Sequence, residues 1–169
     1  SHTSPYLNQS HSRIRGLTEK EIRDLETGAG AGFAIPAEIN GYPGPRHVLD
    51  MKAELGLSED QVRRIDSIYW RMNEEAKREG ARVLQAHLDL ESAFRAETVT
   101  PDTLEELVAA LHNATAELRL VHLKAHLETK PLLTPHQIAR YNELRGYASN
   151  AGSDPHAGHG GHGGHGGHG

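Results

Sequence analysis

From Ser58 to about Glu97 the chain carries no proline and repeats apolar residues every three or four positions. That stretch limits the possible folds more than any other. Val62, Ile65, Tyr69, Met72, Ala76, Val83, His87, Leu90 and Phe94 fall on one face of a helix. About forty residues rising about 1.5 Å each make a rod of roughly 60 Å, with Gly80 as a soft spot. A second pattern of this kind runs from Pro101 to about Thr129, with Leu104, Leu107, Leu111, Leu118, Val121 and Ala125 on its face, and Pro131 stops it. Residues 97–101 (Glu-Thr-Val-Thr-Pro) make the short turn between them. Two long helices joined so briefly are expected to fold back as an antiparallel hairpin.

The remaining elements are short. Thr18 to Thr27 reads as a helix ended by Gly28, and 28–33 is a glycine-rich turn. That turn lacks the Gly-Lys-Ser/Thr ending and the preceding strand of a phosphate loop. Residues 36–45 are turn-rich, and Pro45 opens a helix over Arg46 to Leu55. A last helix spans Pro135 to about Tyr147. No β pattern of any length is visible, so the class is all-α. The expected organisation is an N-terminal arm over 1–44, extended through its first seventeen residues, then a hairpin domain over 45–150. A disordered tail follows over 151–169.

The helix starts share one grammar. Leu57-Ser58-Glu-Asp-Gln61-Val62 places a hydroxyl at the N-cap and a glutamine three residues on, a capping box flanked by a hydrophobic staple. Leu133-Thr134-Pro135-His136-Gln137-Ile138 repeats it with proline at the first helical position, and Leu17-Thr18-Glu-Lys-Glu21-Ile22 is a glutamate version. Each is worth about 1 kcal/mol to its helix.

Composition narrows the function. Apolar residues make up 36% and aromatics 5%, which suits a thin helical body better than a thick core. Eighteen basic against 23 acidic residues, with no basic stretch interleaved with aromatics, disfavour nucleic acid as a partner. Without cysteine there are no disulfides, zinc ribbons or thiol catalysis. No apolar run is long enough to span a membrane. A start at Ser1 rather than Met is what a removed upstream segment such as a signal peptide leaves, so export is an expectation. No nucleophile motif, His-Glu-x-x-His or dinucleotide fingerprint is present, and no enzyme is expected.

Leu57, Ser58 and Gln61, then Leu133, Thr134 and Gln137, form two Leu-Ser/Thr-x-x-Gln motifs, one before each arm of the expected hairpin. In this the chain resembles the periplasmic Spy/CpxP group of stress chaperones and the related heavy-metal sensors and metal-resistance proteins. The resemblance covers about residues 45–148, and the segment from Asn40 to Leu49 also looks like what precedes the first motif in metal-resistance members. It implies a periplasmic, cradle-like antiparallel homodimer. Chaperone members hold unfolded clients without ATP; sensor members bind divalent metal and relay that state to a membrane-bound partner. The acidic balance departs from the basic concave face of the chaperones, and no membrane anchor of the sensor kind is present.

The tail decides between these expectations. His156, His159, His162, His165 and His168 recur every third residue on a backbone that is mostly glycine. Such a segment has no apolar area with which to fold, and its flexible backbone lets several imidazoles converge on one ion. Nitrogen donors without thiolate favour Cu(II), Ni(II) or Zn(II), and Cu(II) heads that order. Two sets of histidines in the body are further candidates. His122 and His126 lie one helical turn apart and would hold a metal with a third ligand from another helix. Counting back from a turn near Val99 sets His87 opposite His112, with Glu91 one turn away. For each set the bland alternative is an ordinary surface or core histidine.

The expected function is therefore an exported metal-binding protein acting as buffer, scavenger or sensor in resistance or homeostasis. The alternative is an ATP-independent holdase of the Spy/CpxP type.

Overall fold

The computed structural model describes residues 1–147, and all regular structure among them is helical. The five tail histidines lie outside the described residues. A 3-10 turn at Leu7–Ser10 leads to α1 (Glu19–Thr27), α2 (Ile35–Glu38), α3 (Pro45–Asp50) and α4 (Lys52–Leu55). The long pair follows, α5 (Glu59–Arg95) and α6 (Pro101–Thr129), and α7 (Pro135–Arg145) comes last.

The caps operate as the sequence indicates. Thr18 and Thr134 each accept from the amide three residues on, and the Glu21 and Gln137 side chains reach back to the capping amides. Ser58 and Gln61 do the same at α5, with bonds of 3.1 and 2.9 Å. A fourth reciprocal cap, built from two threonines, opens α6. Thr103 N–H donates to Thr100 Oγ1 at 3.2 Å, and Thr100 N–H donates to Thr103 Oγ1 at 2.8 Å. At the other end of α1, Gly28 adopts the left-handed conformation (φ 74°) that closes a helix without steric cost.

Several expectations are revised. The first seventeen residues are not an extended arm. Arg13 donates through its backbone amide and Nε to Glu19 and through both terminal nitrogens to Glu26, and Leu17 is buried. The expected helix over Arg46–Leu55 breaks at Met51, whose φ and ψ of −106° and 24° are not helical. A short helix at Ile35–Glu38 forms inside the segment read as turns, with Pro36 in its first turn.

The helix faces also shift. On α5 the line of burial runs through Ile65, Ile68, Met72, Ala76, Val83 and Ala86, then fades: His87 and Leu90 are half-buried, and Phe94 is 55% exposed. On α6 the buried line is Ala114, Leu118, His122, Ala125 and Thr129, while Leu104, Leu107, Leu111 and Val121 are only partly covered. His122 thus lies in the buried face. None of the described helices is long and apolar enough to cross a membrane.

The contacts divide the chain into two compact units, one of Ser1–Ala31 with Asn73–Val121, the other of Gly32–Met72 with the chain from His122 on. In the first, α1 buries Ile22 and Leu25, and Asn73 donates its side-chain amide to the Thr27 carbonyl at 3.1 Å. Gly80 is a contact point here. A Cβ at that position would lie 2.1 Å from the Leu25 carbonyl oxygen, so only glycine lets the end of α1 rest on α5. In the second unit, Val48, Leu55, Ile65, Leu133 and Tyr141 form the core, bordered by Leu57, Leu132 and Ile138. The two motif glutamines meet over this core.

Candidate functional site

The densest polar chemistry of the described chain gathers in the second unit around Glu38, the last residue of α2. Pro36 and the tight turn after Asn40 bring this carboxylate inward, where its side chain is 13% exposed. Its Oε2 accepts hydrogen bonds from the Tyr141 hydroxyl and, at 3.1 Å, from the Tyr147 hydroxyl. Arg145 Nε stands 3.6 Å from the same oxygen. Oε1 accepts from the Gly44 amide at 3.3 Å and lies 3.7 Å from His126 Nδ1. The phenol of Tyr141 is fully buried, and burial together with the Glu38 charge pushes its pKa well above the usual tyrosine value. Tyr141 therefore acts as a donor. Every acceptor position of Glu38 faces a donor of the chain itself, which is the pattern of a clamp tying α2 to α6 and α7.

His126 is held from two sides. Its Nδ1 lies 2.8 Å from the Tyr42 carbonyl oxygen, which can only accept, so Nδ1 carries a proton and donates it there. The ring stands close against Gly44, where a Cβ would come within 2.8 Å of Nε2. Lys130 Nζ sits 4.0 Å from the centre of the Tyr42 ring and braces the same loop.

One turn earlier, His122 is 2% exposed and its ring lies parallel to Phe33, with centroids 5.8 Å apart. Its Nε2 is buried without a hydrogen-bond partner. Burial, with a smaller contribution from His126 beside it, lowers its pKa to about 4. The imidazole is neutral at ordinary pH, and the unmet nitrogen is a standing cost of about 1–3 kcal/mol.

These positions bear on the metal readings of the body. His122 and His126 share a unit, and an orphaned imidazole nitrogen is chemically suited to a transition metal. However, no three His, Asp or Glu side chains among the described residues are placed to hold an ion. Among the described residues no third ligand stands beside His122 and His126, and His126 Nδ1 is engaged by the Tyr42 carbonyl. The other set lies in the first unit. His87 is half-buried, with its pKa lowered by burial against an opposing pull from Glu21, and His112 is exposed. Glu91 is engaged by Arg95 at 2.6 Å.

Sequence reasoning missed Glu38, Tyr42 and Tyr147 altogether, since nothing in a turn-rich segment or a helix end marks a clamp. The one available signal was the crowding of Pro43, Gly44 and Pro45, two of which are fully buried. No family model, no curated protein and no solved structure matches this chain.

Proposed function

We propose that this protein is an exported, periplasmic metal-binding protein of a resistance or homeostasis system, in which a helical body carries a histidine tail that buffers or scavenges divalent metal. The observation that carries this reading is the tail itself, five imidazoles at a strict three-residue interval separated almost entirely by glycine. Cu(II) is the preferred ion, ahead of Ni(II) and Zn(II), because imidazole donors on a backbone without set geometry follow intrinsic affinity. Affinity falls below about pH 6 as the imidazoles protonate. The body serves as a Spy/CpxP-like platform, a dimer of helical hairpins. The direct pairing of Gln61 with Gln137 supports that likeness, since it gives the two motifs one shared structural task.

The test is calorimetric titration of Cu(II), Ni(II) and Zn(II) into the full chain and into a chain ending at Gly152. Stoichiometric binding to the first and negligible binding to the second is the expected result. Equal binding to both would overturn the reading and return the metal to the body, as a sensor requires.

A second reading, an ATP-independent holdase for unfolded clients, is favoured by large apolar side chains left in solvent. Trp70, Phe94 and Leu127 are 53%, 55% and 60% exposed. It predicts that the chain ending at Gly152 suppresses aggregation of a denatured client without metal. Failure to do so at excess chain removes it.

A further inference from the structure

In the first unit, the faces that bury the core run on uncovered toward the turn between α5 and α6. Leu90 and Phe94 continue the buried line of Val83 and Ala86 on α5. Leu111, Leu107 and Leu104 continue that of Leu118 and Ala114 on α6. All of these residues belong to the first unit, where α1 meets α5 at Gly80, well before this stretch. Phe94 is 55% exposed, and the four leucines are only partly covered. A lone exposed leucine is ordinary, but large apolar side chains gathered on core-facing positions mark a surface that expects a partner.

We infer that this end of the first unit docks a basic amphipathic helix of another protein. Charge selects the occupant. The stretch holds Asp89, Glu91, Glu97, Asp102, Glu105 and Glu106 against one cation, Arg95, which Glu91 already engages at 2.6 Å. Glu97, Asp102, Glu105 and Glu106 are exposed, and none forms an ion pair with another described residue. Asp102 suits the start of α6, where the helix dipole favours negative charge. Glu97 has no such local reason. The Glu97 and Thr98 amides close the last turn of α5 onto the Phe94 and Ala93 carbonyls at 3.1 and 3.0 Å. The dipole disfavours a carboxylate there, and the Glu97 φ of 56° is the left-handed conformation that glycine adopts most easily. A second copy presenting the same end would set carboxylates against carboxylates, and an anionic lipid surface would be repelled in the same way. A helix with apolar residues on one face and Lys or Arg beside them satisfies both the apolar strip and the charge around it. The inference needs neither the tail nor metal.

The test uses the full chain with a chelator and a fluorescent peptide of about eighteen residues, leucine and lysine in helical register, followed by anisotropy. A dissociation constant of about 10 μM is expected. Glu105→Gln with Glu106→Gln should weaken binding about tenfold, as should Phe94→Ala, and these side chains are exposed enough for the fold to survive. Glu97→Gly should weaken binding about threefold while raising the melting temperature, a pairing that a merely structural role would not give. Glu54→Gln with Asp66→Asn, the same loss of charge in the second unit, should leave binding unchanged. Equal losses from the two charge-removing pairs, or no binding at about 100 μM peptide, would overturn the inference. Equal binding of a peptide with glutamate for lysine would overturn it too, leaving a face that takes apolar chain of any charge, as a holdase does. A dimer of the chain that Phe94→Ala dissociates, with no peptide bound, would give the face to a second copy and overturn it as well.

Discussion

The side-chain amides of Gln61 and Gln137 bond each other in both directions. Gln61 Nε2 donates to Gln137 Oε1 at 2.7 Å, and Gln137 Nε2 donates to Gln61 Oε1 at 3.1 Å. Each oxygen also accepts from the capping amide of its own helix, Ser58 at 2.9 Å and Thr134 at 3.0 Å. The spare hydrogens reach the Leu132 carbonyl at 2.8 Å and the Leu55 carbonyl at 3.3 Å. Two local caps become one joint between the starts of α5 and α7, and Gln137 is 7% exposed there.

Replacing Gln137 by alanine should therefore destabilise the chain by about 2–3 kcal/mol, because it strands Gln61 and a buried carbonyl as well as removing a cap. Gln61→Ala should cost about 1–2 kcal/mol, being less enclosed. The double variant should lose less than the sum of the two, since they share one pair of bonds. Urea midpoints with a common slope measure all three, and strict additivity would mean that the pair does not hold in solution.

Gly80→Ala inverts the usual expectation for a helix interior. Alanine at an open helical site gains about 1 kcal/mol over glycine. Here its Cβ would stand 2.1 Å from the Leu25 carbonyl, so α1 has to move, and a net loss of about 1–3 kcal/mol is expected. Proteolysis within α1 should quicken. A rise in melting temperature would show that α1 does not rest on α5.

Glu38→Gln and Tyr141→Phe probe the clamp. Phenylalanine at 141 keeps the shape of the core but removes a donor from the carboxylate, with an expected loss of about 1–3 kcal/mol. Glutamine at 38 removes the charge that faces Arg145 and His126, and its amide group meets a hydroxyl hydrogen already pointing inward. The loss should be of similar size, read from thermal unfolding. If both variants are as stable as the parent, the hydroxyl–carboxylate bond is not maintained.

Acid should act through His122. Its pKa in the folded chain, about 4, lies below the ordinary 6.5, so the unfolded chain binds the proton more readily. The neutral ring's contribution is fully present above about pH 6.5. It is lost as pH falls from there through about 4, for a total of about 3 kcal/mol. His122→Phe should flatten this part of the stability–pH profile and also relieve the unmet Nε2. An unchanged slope between pH 6.5 and 4 would mean that the ring reaches solvent.

The long helices were legible because their signals are local. Proline at 101 and 135, hydroxyls at the N-caps and glycine after the last turns act within four or five residues, and the observed bounds of α5 and α6 lie within a residue or two of those expected. Phe94 shows the limit. It continues the helical period, yet the described packing leaves it in solvent, because period alone says which residues share a face and not how far a neighbour extends along it. His122 shows the converse. Its spacing from Leu118 and Ala125 puts it on the buried line, whereas the face read from the sequence passed from Leu118 through Val121 to Ala125.

What the sequence determined by itself is the helices α1, α5, α6 and α7, the capping boxes of α1, α5 and α7, the absence of strands among the described residues and the histidine–glycine composition of the tail. Each follows from composition and from propensities that operate over a few residues. Only the tertiary structure decided that two caps would share their glutamines, that Gly80 would receive the end of α1, and that Glu38 would collect donors from Gly44, Tyr141 and Tyr147. Apart from the Gly44 bond, those relationships join residues 55 to 109 positions apart. Their energies depend on distances of a few ångströms, set by how whole helices pack, and no local pattern encodes them.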